Sequence, residues 1–220
     1  MKHAKIFLLC ASMVVMGYCN FLSGKSLTDI TPNTNGISED SLIEMSKKPY
    51  MVPYIKYLMK DIIRTKDKDI WFFTLAYIDD DEIPEMIVKG DGYFDECFPI
   101  PYYVLSQYDG FVSSIDAHHG VEYNEREGLL INTTGGSGAS IIRVFQLKNG
   151  KFELTANEME LVGEEEITYY FNDAKVDQET AERLLGETFE YKETTISIED
   201  LEWMSWADLL KNKESIKGWK

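Results

Sequence analysis

Three carboxylates set close together, Asp79, Asp81 and Glu85, have the types and spacing most suggestive of chemistry, and Asp80 and Glu82 stand between them. Hard oxygen donors crowded on one turn suit Ca²⁺, which takes about six to eight of them in flexible geometry. Like charges so close also repel, and a bound cation relieves that repulsion. An EF-hand loop, however, needs oxygens at regular positions. With Asp79 as its first ligand, Ile83 falls on the third and supplies no side-chain oxygen. The competing reading is a solvated polar turn shaped by Pro84 and Glu85. Asp91, Asp95 and Glu96 form a second acidic group beside Gly90 and Gly92, able to complete a cation site only if that loop folds back.

Other candidates are thinner. His118 and His119 are adjacent, so a strand would send them to opposite faces and only a loop could join them on one metal. Cys97 is remote from Cys10 and Cys19, and no His or Cys has zinc spacing. Gly135-Gly136-Ser137-Gly138-Ala139 comes close to a nucleophile elbow, but that motif requires a helix after it, and residues 141–147 read as a strand. No G-K-[ST] phosphate loop occurs. Asn132-Thr133-Thr134 is formally a glycosylation sequon. Tyr102, Tyr103, Tyr108, Phe111 and Tyr123 would make a ligand or carbohydrate platform if exposed, and are expected in the core.

The elements that must position these residues are legible from pattern. Ser41-Leu42-Ile43-Glu44 matches a capping box for a short helix ended by Pro49. Pro53 suits the first position of a second helix, in which Tyr54, Ile55, Leu58, Met59, Ile62 and Ile63 form one apolar stripe, with Lys56, Lys60, Asp61 and Arg64 elsewhere on its surface. Residues 71–78 read as a strand buried on both faces and 84–88 as its hairpin partner. Strands are expected at 102–108 and 111–115 around Asp109-Gly110, at 129–134 and 140–147 around the glycines, at 151–156 after Asn149-Gly150, and at 167–171 before Asn172-Asp173. Asp177 caps a helix over 178–185 that Gly186 stops, and Ser197 caps another over 201–210. The expected class is α+β: an antiparallel β-sheet meander with an N-terminal helix and C-terminal helices, in one domain from 41 to 215.

The amino terminus carries an address. Lys2, His3 and Lys5 precede a run at 6–16 that is apolar apart from Ser12, too short to span a bilayer and suited to a signal peptide over 1–19. Met16-Gly17-Tyr18-Cys19 resembles a bacterial lipobox, in which the cysteine receives a diacylglycerol. Gly17 and Cys19 fit, and Tyr18 stands where a small residue is usual. Ordinary signal-peptidase cleavage, giving a secreted protein, is the alternative. Residues 20–40, rich in Ser, Thr, Asn and Gly, would serve as a flexible tether. The net charge of −16 argues against nucleic acid as a partner.

Residues 76–88, Ala-Tyr-Ile-Asp-Asp-Asp-Glu-Ile-Pro-Glu-Met-Ile-Val, resemble the D-x-(N/D)-x-D-x-x-P-E-L hairpin of uncharacterised secreted or lipid-anchored bacterial proteins, over about residues 50–155. That resemblance implies an acidic hairpin related to a degenerate EF-hand or dockerin turn, and no activity. The leading expectation is an extracytoplasmic, lipid-anchored envelope protein, tied to the membrane through Cys19, that binds a protein or glycan without catalysis. The alternatives are a calcium-stabilised hairpin domain on Asp79, Asp81 and Glu85, or an envelope hydrolase using these acids with His118.

Overall fold

The computed structural model describes residues 39–62, 71–90, 102–117, 120–136, 138–163 and 166–211, together with 214, 216, 218 and 219. Cys19, Asp91, Asp95, Glu96, Cys97, His118, His119 and Ser137, and with them the export segment and the tether up to residue 38, lie outside the described residues.

Two short helices open the described chain, α1 (Glu39–Met45) and α2 (Met51–Tyr57), and α2 continues into a π-helical turn at Leu58–Ile62. Two antiparallel sheets follow. The first contains β1 (Trp71–Ala76), β2 (Glu85–Gly90), β3 (Tyr102–Tyr108) and β4 (Phe111–Ala117) as a meander. The second is built on β5 (Val121–Asn124), β6 (Leu129–Gly136), β7 (Ala139–Lys148), β8 (Lys151–Val162), β9 (Ile167–Phe171) and β10 (Ala174–Val176), again in sequence order. Helix α3 (Gln178–Thr188) comes next. The chain then adds β11 (Thr195–Ser197) beside β5, β12 (Met204–Ser205) beside β1, and a last helix α4 (Trp206–Lys211). The expected α+β class, with helices at both ends of an antiparallel meander, is the observed one.

Strand periodicity explains the layering. Successive side chains leave a strand on opposite faces, and three apolar clusters record the two faces of each sheet. Phe73, Leu75, Met86, Val88 and Leu105 face Leu42, Tyr54, Ile55, Leu58, Trp206 and Leu209 of the terminal helices. The intervening residues Ala76, Ile87, Tyr102 and Val104 face Tyr123, Leu130 and Leu147 of the second sheet. On that sheet's far side, Ile131, Ile142, Val144 and Ala156 pack on Leu185 of α3 and on Phe189 just beyond it. The result is four layers, helix–sheet–sheet–helix. The first sheet is apolar on both faces, which is why residues 71–76 read as a continuous hydrophobic run.

Turn chemistry places the strand ends. Asp109 and Gly110 both take positive φ (51° and 80°), as do Asn149 and Gly150 (50° and 66°), which matches the twist of two-residue hairpins. Gly150 is also needed for space: a Cβ there would stand 2.5 Å from Tyr108 Cβ and 2.9 Å from the Gln107 carbonyl carbon. The β7–β8 tip therefore rests directly on the end of β3. A hydrogen bond from Ser113 Oγ to the Gly150 carbonyl joins it to β4.

Five expectations are corrected. Helix α2 starts at Met51, two residues before Pro53, whose missing N–H still falls in the first turn, where no intrahelical partner is needed. The α3 helix runs through Gly186 to Thr188 before Phe189 leaves it. Glycine stops a helix only when a neighbouring turn needs positive φ, and Gly186 has no such demand. Ser197 caps a single 3-10 turn, Ile198–Asp200, since its hydroxyl accepts from the Glu199 amide. The expected helix over 201–210 is interrupted, because Met204 and Ser205 pair with Phe73 and Phe72 on the edge of β1. Helix α4 begins only at Trp206, capped by Ser205 Oγ accepting from the Asp208 amide at 3.1 Å. Met59, assigned to the apolar stripe, is exposed: the π turn adds a residue and rotates the face away from the core.

Candidate functional site

The acidic turn, residues 77–84, joins β1 to β2. Its geometry follows from Glu85, the first residue of β2, whose carboxylate points inward and is 1% exposed. The Ile78 amide donates to Glu85 Oε2 at 3.0 Å and the Ser106 hydroxyl to Oε1 at 3.0 Å. One side chain thus closes the mouth of the hairpin and ties it to β3. Because Glu85 takes the Ile78 amide, β1 leaves the sheet earlier than its hydrophobic run suggests. The carbonyls of Tyr77 and Ile78 then accept from the amides of Arg126 (3.0 Å) and Gly128 (2.7 Å) in the β5–β6 turn of the other sheet. Arg126 also lays its guanidinium over the Tyr77 ring, 4.2 Å from the centroid. From the helix layer, the buried Tyr54 hydroxyl donates to the Pro84 carbonyl at 3.0 Å.

The aspartates serve the turn's own backbone. Asp79 Oδ1 accepts from the Asp81 amide at 3.2 Å, and Asp81 Oδ1 from the Ile83 amide at 2.6 Å. These are successive Asx turns, in which a short carboxylate replaces a backbone acceptor. Burial pushes the Glu85 carboxyl up to about 8, and the nearby Asp79 and Asp81 charges add to the rise. Burial likewise raises Asp79, with the repulsion of Asp81 and Asp80 behind it, against the lowering by the Asp81 amide. The three carboxylates offered as a calcium set are therefore turned onto the protein's own donors. Among the described residues, no group of three or more His, Cys, Asp or Glu side chains is placed to hold a metal ion. The second acidic group and the histidines that a hydrolase would recruit fall outside the described residues.

The aromatic candidates divide. Tyr102 and Tyr123 are core residues, while Tyr103 is half-buried against Trp71. Tyr108 and Phe111 flank the Asp109-Gly110 tip and stand 55% and 80% exposed. Beside them lies an open groove of about 380 Å³ between α2 and the start of β4, lined by Val52, Lys56, Tyr57, Lys60, Phe111 and Val112 among others. Tyr57 Oη and Ser114 Oγ, 2.7 Å apart, fix the helix against β4 at the groove floor. Among the described residues, the charged ones lining the groove are both lysines, on a chain with 38 acids against 22 bases. Sequence reasoning placed these lysines on the polar side of a helix. What it could not supply was the neighbour that turns that side into a groove wall.

Glu158 of β8 was also not singled out. It is buried under α3, and burial, then Glu182 and Glu160, push it up to about 7. Its position on the α3-facing side of β8, two residues beyond the core residue Ala156, was the available signal.

Compared with family models, with curated proteins and with solved structures, the chain finds no match, so its function is argued from its own residues.

Proposed function

We propose that the protein is exported, anchored at the cell envelope by a lipid on Cys19, and acts there as a non-catalytic module that binds a protein or glycan partner. The observation that carries this reading is the amino-terminal order of charges, apolar run and cysteine: Lys2 and Lys5, then residues 6–16, then Gly17-Tyr18-Cys19. The cationic end is retained on the cytoplasmic side while the apolar run enters the membrane. Among the described residues, no helix is long and apolar enough to cross a bilayer. Binding is favoured over catalysis by how the side chains are used. Both oxygens of Glu85 and one each of Asp79 and Asp81 accept hydrogen bonds that close the hairpin, while large apolar side chains stand in solvent beside a groove.

The test is metabolic labelling with a radioactive fatty acid in a bacterial host. Wild type takes up label in the membrane fraction and Cys19→Ala does not. An unlabelled wild type retaining Met1 in the soluble cell interior would sink the proposal.

A further inference from the structure

Resting on the binding-module reading and making its surface specific, the geometry points to β4 as a docking edge that takes an extended acidic peptide segment of a partner protein as an added strand, with one apolar side chain of that segment seated in the groove beside α2. Strand β4 is an outer strand of the first sheet, and among the described residues its backbone ladder is with β3 alone. The hairpin is closed by the pair Tyr108–Phe111 around a two-residue turn, so the alternation of an antiparallel ladder directs the backbone groups of Val112, Ser114 and Asp116 away from β3. Among the described residues, no backbone group outside β3 bonds to them. It is also the least buried of β1 to β4, with Phe111 exposed and residues 112–115 half-buried.

An open edge of this length invites another strand, and proteins usually blunt it with charge, proline or a cover. Here Asp116 is the only charged residue on the strand. The start of β4 instead runs into the groove with its lysine wall. Strand addition supplies main-chain hydrogen bonds, and pockets for alternate side chains supply selectivity. A groove this open would leave a small molecule largely wet, whereas a strand lying along β4 needs only one side chain in it.

Charge selects the occupant. Lys56 and Lys60 are one helical turn apart beside the groove, and Lys56 forms no ion pair with a described residue. At physiological ionic strength, screening confines interactions to about 8 Å. The carboxylates of a short peptide therefore sense the Lys56 ammonium at the start of β4 more than the acidic surface, and Asp116, four residues along the strand from Val112 (about 13 Å), lies beyond that range. A second copy of the chain would bring a body of net charge −16 against one of equal charge, and an anionic bilayer a whole plane of charge.

The experiment uses the full-length chain purified in detergent and fluorescent heptapeptides that alternate valine or isoleucine with aspartate or glutamate, alongside counterparts with lysine for each acid. Fluorescence anisotropy is expected to register binding of the acidic set and none of the basic set. Lys56→Glu should weaken binding roughly fivefold. Asp116→Pro, which removes an outward N–H on an edge strand where proline is tolerated, should weaken it about tenfold relative to Asp116→Asn, which removes the same charge and keeps the N–H. Unchanged thermal midpoints in all three variants establish that the fold is intact. Absence of binding by every acidic peptide, or an affinity unchanged by Lys56→Glu and equal in Asp116→Pro and Asp116→Asn, overturns the docking edge while leaving the fatty-acid result on Cys19 untouched. Concentration-dependent dimers abolished by Asp116→Pro, or lysine-dependent sedimentation with phosphatidylglycerol vesicles, would assign the edge to a second copy or to a membrane and equally overturn it.

Discussion

The acidic turn and the β3–β4 tip both join neighbouring strands of one sheet, and they use their polar and apolar residues in opposite ways. At the acidic turn, an ionisable residue goes inside: Glu85 is buried, both its oxygens are taken, and the aspartates around it cap their own backbone. At the β3–β4 tip, large apolar residues stay outside, and Phe111 is the most exposed of the large hydrophobic side chains described. A buried polar group is retained where it satisfies backbone donors that the sheet cannot reach. An exposed aromatic group has no such internal explanation and is free to meet a partner. The motif resembling a metal site is thus used in folding, and the residues resembling core are the ones available for binding.

The sharpest way to break this contrast is Glu85→Ala. It strands the Ile78 amide and the Ser106 hydroxyl in the interior and leaves a void, so urea unfolding should record a loss of about 3 kcal/mol. A loss within the range of ordinary surface substitutions would mean the carboxylate does not hold the hairpin. Gly150→Ala comes next. The new methyl group meets the backbone at the end of β3, at a residue already in positive φ, and about 2 kcal/mol is expected from the same assay.

Protonation gives a third, graded test. The Glu85 carboxyl is raised from 4.5 to about 8 in the fold, so the native state holds a proton that the unfolded chain gives up above its ordinary range. Unfolding then releases a proton, and stability falls as pH climbs from about 4.5 toward 8. Glu158, raised to about 7, acts in the same direction over the lower part of that window. When Glu85 is protonated, Ser106 is the partner able to accept its hydrogen bond, because an amide can only donate. Wild type should be more stable to urea at pH 5 than at pH 8, at ~1.4 kcal/mol for each unit of displaced titration fully expressed. In Glu85→Gln the difference should shrink. An identical pH profile in both proteins would remove Glu85 from the account and leave the general repulsion of an acidic surface.

At the other region, Phe111→Ser should change stability by no more than about 0.5 kcal/mol, because the ring makes little contact to lose. A large loss would move Phe111 back into the core. Millimolar Ca²⁺ against EDTA should give the smallest effect, an unchanged melting midpoint, since both Glu85 oxygens and one oxygen each of Asp79 and Asp81 already accept from the chain itself. A clear rise with calcium would restore the metal reading of the acidic turn.

What the sequence determined by itself is local. Asp109-Gly110 and Asn149-Gly150 specify hairpins because few residues adopt the positive φ those turns require. Asp177 specifies a helix start because its carboxylate reaches the Thr180 amide at 2.8 Å, three residues away. The continuous apolar run at β1 announced burial on both faces, and the antiparallel class followed from the hairpins. Each of these signals is complete within a few residues. The tertiary structure decided the remainder. Met204 and Ser205 form a strand only because β1 offers an edge, and β5 and β11 lacked enough pattern of their own. Glu85 became interior because β3 and the β5–β6 turn close over it, and Phe111 became exposed because the second sheet stops short of it. Burial belongs to the layers that meet, and which layers meet is a property of contacts far apart in the chain, to which spacing between neighbouring residues gives no access.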